Sequence, residues 1–130
     1  GVRSDANPWR VGIESPDSKL NIKFIIQPGD NAVATSGDYR NYYVLDGVRV
    51  SHTIDPATSA PVNHTLTSVT VVDPLTANAD AWATALMVMG PQRGFEFAEA
   101  NGIAALFLTR GEDDNGPFIT KAMQKFLVQT

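Results

Sequence analysis

The amino-acid sequence predicts an α+β domain with a largely antiparallel sheet and helices packed on one side. Three observations carry that expectation. Up to Val72 the chain is a series of short alternating or β-branched runs separated by Pro, Gly, Asp and Asn. Asp46-Gly47, between two such runs, is the strongest short hairpin signal present. From Asn78 to Gly102 the apolar spacing becomes helical and breaks once, at Gly90-Pro91.

Each element follows from local chemistry. Trp9 to Glu14 and Leu20 to Gln27 read as two strands around the turn Ser15-Pro16-Asp17-Ser18. Pro28-Gly29-Asp30-Asn31 is a second turn, and Ala32 to Thr35 a strand ending at Ser36-Gly37-Asp38. Asn41 to Leu45 and Val48 to Ile54 form the hairpin around Asp46-Gly47. Asp55-Pro56-Ala57-Thr58 is a loop or turn, and Leu66 to Val72 a β-branched strand. Asn78 is placed to N-cap a helix that Gly90 ends. Its apolar stripe would be Ala81, Trp82, Ala85, Leu86 and Met89. Pro91 opens a second helix that stops at Gly102. Ile103 to Thr109 is a buried strand, and Phe118 to Val128 fits strand or helix.

Composition bounds the function classes. The 130 residues make one domain or part of one. An apolar fraction of 43% suffices for a packed core. The net charge of −4 comes without a basic run, which argues against nucleic acid or an anionic membrane as partners. The absence of cysteine excludes disulfides, thiolate metal sites and thiol catalysis. The longest apolar stretches are too short to span a bilayer. The chain starts at Gly1-Val2-Arg3 without an initiator Met, so any targeting signal would lie upstream.

Several residues are candidates for chemistry. Asp80 and Thr84 lie four apart on one helical face and are both hard oxygen donors, as an ion of the Mg²⁺ type prefers. The ordinary alternative is an Asp near a helix N-terminus and a Thr bonded to the carbonyl one turn back. In a strand, Val48, Val50, His52 and Ile54 share a face, which sets His52 at a strand end beside a loop. A satisfied core histidine is the alternative there. In Ser36-Gly37-Asp38-Tyr39 a glycine among small polar residues can bring backbone N–H groups to an anion, or simply make a turn. His64 reads as a surface residue.

In order along the chain, three segments resemble the C-terminal half of the ApbE family of flavin transferases. They are Thr35-Ser36-Gly37-Asp38-Tyr39, then His52-Thr53-Ile54-Asp55-Pro56-Ala57-Thr58, then Ser68-Val69-Thr70-Val71 leading to Ala79-Asp80-Ala81-Trp82-Ala83-Thr84-Ala85-Leu86. Trp9 to Pro16 resembles the strand before them, and the likeness runs to about Arg110. Each motif is modest alone; their order and separation are specific.

The resemblance implies the C-terminal part of a T-fold-like flavin transferase domain. It implies FAD as substrate, Mg²⁺ on its pyrophosphate and a threonine hydroxyl of a target flavoprotein as acceptor. FMN is transferred and AMP released. Asp80 and Thr84 match the family's metal positions, and His52 and Ile54 its flavin-lining strand end. The Ile54 backbone is then the more direct contact. Ser36 and Gly37 belong to the cofactor-binding set, and His52 would orient or deprotonate the acceptor hydroxyl. Relatives that let water attack would make the protein an FAD pyrophosphatase; a non-catalytic flavin-binding or assembly module is a further alternative. The resemblance also implies a periplasmic protein held at the inner membrane by an upstream lipid anchor.

Three departures from the family pattern stand out. Ala83 replaces a Ser or Asp that would offer a third metal ligand. Ser59 follows Thr58 where the family has Gly. Residues 1–130 read as a C-terminal portion, with the N-terminal half and its Gly-rich, lysine-containing flavin grip as the missing partner.

Overall fold

A computed structural model describes residues 1–14, 22–37, 42–45, 48–51, 54–57, 60–61, 66–109 and 117–128. In chain order the elements are β1 (Val11–Glu14), β2 (Ile22–Ile26), β3 (Ala32–Gly37), β4 (Tyr42–Leu45), β5 (Val48–Ser51), β6 (Ile54–Asp55), β7 (Ala60–Pro61) and β8 (Leu66–Asp73). They continue with α1 (Thr76–Met89), α2 (Pro91–Ala100), β9 (Ala104–Thr109), β10 (Phe118–Ile119) and α3 (Lys121–Gln124).

The central sheet has the order β10-β9-β8-β3, with every neighbour antiparallel. β8 and β9 are buried along almost their whole length. Side chains alternate between two cores, as the period of a strand requires. Val69, Val71, Ala105 and Phe107 enter one; Val72, Ala104, Leu106 and Leu108 enter the other. A bulge between Leu66 and Ser68 inserts one residue, so Leu66 joins the face of Val69 despite its parity. Complete burial of a side chain such as Leu86 or Phe107 stabilises the fold by about 1.5–3 kcal/mol.

The two long helices lie on the first face, as the sequence predicts. Ala79, Ala83, Leu86 and Met87 of α1 and Ala98 of α2 complete that core. The other face is covered by the β1–β2 pair and by Met123 of α3. The chain end adds to that pair: Gln27 N–H donates to Phe126 O at 2.8 Å and Val128 N–H to Ile25 O at 2.9 Å. Phe118 to Val128 thus combines a short strand, one helical turn and a paired tail.

Two expectations for α1 need correction. Asn78 does not cap it; the helix begins at Thr76, with Leu75 as the extended capping residue and no side-chain cap bond. The signal lies upstream, where Asp73 Oδ1 accepts the Leu75 N–H at 2.9 Å across Pro74 and turns the chain into the helix early. The buried stripe is also rotated. Ala79, Ala83, Leu86 and Met87 are buried, Trp82, Ala85 and Met89 are half-buried, and Ala81 is exposed. Small side chains at Ala79 and Ala83 let the helix backbone settle close to the sheet, and that gain in contact decides the rotation.

Gly90 ends α1 as expected. Its φ of 86° is in the left-handed region, and its N–H donates to Leu86 O at 3.2 Å. The same residue heads α2, accepting from Gly94 N–H at 2.9 Å.

Candidate functional site

The site is built where α1 crosses the edge strand β3. Along β3, Ala34 packs into the core under α1 and Val33 into the opposite core. Alternation therefore sets Ser36 on the α1 face, opposite Val69 in register. Thr35 points the other way, and its hydroxyl meets that of Thr70 at 2.8 Å. Ala79 and Ala83 are fully buried beneath α1, so Asp80 and Thr84, beside them, fall on its exposed flank.

Two short contacts define the geometry. Ser36 Oγ lies 3.2 Å from Thr84 Oγ1. Thr84 Oγ1 also lies 3.1 Å from the carbonyl oxygen of Asp80, the bond of an ordinary helical threonine. Accepting that bond at Asp80 does not consume the oxygen of Thr84, which keeps lone pairs for another partner. An exposed carboxylate and a hydroxyl one turn apart form a hard-oxygen set that suits Mg²⁺, an ion that keeps several waters and takes few protein ligands. Among the described residues no group of three His, Asp or Glu forms a metal cluster, so this edge supplies a few oxygens rather than a closed cage.

The other expected residues are placed as follows. Ser36 and Gly37 lie inside β3 instead of in a turn, and Gly37 pairs with Ser68. The strand extends past Thr35 because β8 continues to Leu66 and offers a partner to both residues. Gly37 is not among the left-handed glycines, and the rest of the Ser36-Gly37-Asp38-Tyr39 segment, Asp38 and Tyr39, lies outside the described residues. Ile54 opens β6 and pairs with Pro61 of β7. The expected unbroken strand from Val48 is described only to Ser51. His52, His64, Thr58 and Ser59 lie outside the described residues. β4 and β5 pair antiparallel with Leu45 opposite Val48; Asp46 and Gly47 lie outside the described residues. Ala83 is fully buried in the core beneath α1.

The Ser36–Thr84 contact had no separate signal in the sequence. Alternation along Ala32–Gly37 gives the face of Ser36, but not which helix covers that face. A cleft of about 660 Å³ lies elsewhere, lined by Asp73, Trp82, Asn101, Lys125 and Phe126 among others. Three of its polar side chains bond locally: Asp73 to the Leu75 N–H, Asn101 to Phe97 O and Asn31 to Pro28 O.

The pattern of the ApbE family matches residues 1–107. The chain belongs to the ApbE family. It is 47% identical over 128 residues to the FAD:protein FMN transferase of Vibrio cholerae, covering 98% of this chain and 38% of that protein. The solved flavin transferase ApbE from Vibrio cholerae superposes with a TM-score of 0.84 at 45% identity, over 98% of this chain and 40% of that one. The Pseudomonas stutzeri flavinyl transferase ApbE, in its apo form, gives 0.81 at 44% identity, over 97% and 39%. The chain thus spans about 38% of the length of the curated ApbE relative from Vibrio cholerae and matches a C-terminal part of it. The α+β architecture with its antiparallel sheet is the one these ApbE structures share with the chain.

Proposed function

We propose that the protein containing this chain is a Mg²⁺-dependent FAD:protein FMN transferase, in which Asp80 and Thr84 hold the metal. One observation carries the reading: in an ApbE-family chain, an exposed carboxylate and a hydroxyl share one flank of α1 beside Ser36. Bound on the FAD pyrophosphate, the ion would neutralise charge in the phosphoryl-transfer step.

The remaining work falls to the protein. The acceptor threonine oxygen forms a bond to the phosphorus on the FMN side while the pyrophosphate P–O bond breaks, and AMP leaves. The acceptor proton goes to a base, for which His52 is the candidate because its ordinary pKa lies near neutrality. Phosphoryl transfer asks mainly for alignment, and α1 and β3 are rigid elements suited to it. His52, Ile54, Ser36 and Gly37 would line the flavin side of the site. A target flavoprotein and the N-terminal half complete the assembly. A periplasmic location with an upstream lipid anchor rests on family resemblance alone; surface protease digestion of intact and permeabilised cells tests it.

The decisive experiment uses the full-length enzyme with FAD, Mg²⁺ and an acceptor peptide. Asp80→Ala should abolish Mg²⁺-dependent flavinylation while the melting curve stays close to wild type, since Asp80 is exposed. Retained Mg²⁺-dependent transfer would sink the metal assignment. Free FMN and AMP without modified peptide would identify a pyrophosphatase instead. FAD binding with no turnover would identify a binding module.

A further inference from the structure

We propose that Ser36 is a positioning residue that donates its hydroxyl proton to Thr84 and thereby fixes Thr84 Oγ1 as a metal ligand. This rests on the metal reading of Asp80 and Thr84. The argument is a count of protons and lone pairs. Thr84 Oγ1 carries one hydrogen and two lone pairs. The Asp80 carbonyl oxygen can only accept, so the 3.1 Å contact consumes the Thr84 proton. The 3.2 Å contact between the hydroxyls must then be filled by the proton of Ser36. One lone pair of Thr84 accepts it, and one remains for a cation.

The two bonds act on the ligand in separate ways. A helical threonine divides between two χ1 wells, because only one lets its hydroxyl reach back to the carbonyl. Donation from Ser36 adds a second bond to the observed well. Donation from Thr84 to a carbonyl also polarises its oxygen toward negative charge, which favours a cation on the remaining lone pair. Both anchors are rigid. Ser36 is held in register opposite Val69 of the central strand, and Thr84 follows Ala83, which is locked in the core. Outer hydrogen bonds of this kind typically change metal affinity by about 10–100-fold when lost.

The test measures binding of Mn²⁺ to the full-length enzyme by electron paramagnetic resonance, without FAD and therefore without turnover. Ser36→Ala should weaken Mn²⁺ binding about 10-fold. Ser36→Thr should restore it and Ser36→Val should not; this second pair differs by the hydroxyl alone and stands even if the Ala variant folds poorly. In a Thr84→Val background, Ser36→Ala should have no further effect. Wild-type affinity in Ser36→Ala, or an undiminished effect of it in Thr84→Val, overturns the proposal while leaving the metal site intact. Unchanged Mn²⁺ binding in Thr84→Val overturns the metal reading itself, and the role of Ser36 with it.

Discussion

At the scale of single residues, buried hydroxyls matter as much as exposed ones. Thr120 is fully buried. Its Oγ1 accepts the Ala105 N–H at 2.9 Å and donates to Ile103 O at 2.8 Å, tying the start of α3 to β9. Thr120→Val keeps the shape and removes both bonds. It should cost about 1–3 kcal/mol, the usual penalty for orphaned buried groups. Urea denaturation with an unchanged midpoint would contradict this. Asp80 and Thr84 were legible as a pair from their spacing alone. Whether Thr84 was a ligand or a back-bonded helical residue was not. The structure has the back-bond and still leaves a lone pair, so the two readings are compatible.

At the scale of elements, close approach between α1, α2 and the sheet sets the geometry of the site. A Cβ on Gly94 would lie 3.0 Å from the Leu86 carbonyl oxygen and 3.0 Å from Phe107 Cε1. Gly94→Ala gains about 1 kcal/mol of helix propensity. Overpacking against a helix backbone oxygen costs about 1–3 kcal/mol. A lower melting temperature is expected; a rise would show that α2 shifts freely. Ala83→Leu makes a related point on α1. It should push the helix off β3 and weaken Mn²⁺ binding together with stability, whereas Ala81→Leu, on the exposed side, should change neither. Equal effects of the two substitutions would contradict the observed rotation of the helix. The sequence placed both long helices and the end of α1 at Gly90. It missed the start at Thr76, because the helix is entered from an Asp73 side-chain bond to the Leu75 N–H and has no side-chain cap at its own first turn.

At the scale of the whole molecule, the proposed function makes this chain one wall of a site. Asp80 and Thr84 are exposed and Ser36 is half-buried at β3, which has no partner beyond β8 among the described strands. Relatives are far longer than the part matched here. The 130 residues on their own should therefore transfer no FMN when mixed with FAD, Mg²⁺ and acceptor peptide. Flavinylated peptide at the rate of a full-length relative would overturn that expectation. By itself the sequence determined the longer strands, the two long helices, the antiparallel class and the helical spacing of Asp80 and Thr84. These are local matters of period, turn chemistry and helical spacing. Only the tertiary structure decided which face of α1 is buried, that Ala83 belongs to the core, and that Ser36 meets Thr84. Those depend on how closely two distant segments pack, and the small side chains that permit it leave little trace in a single chain's pattern.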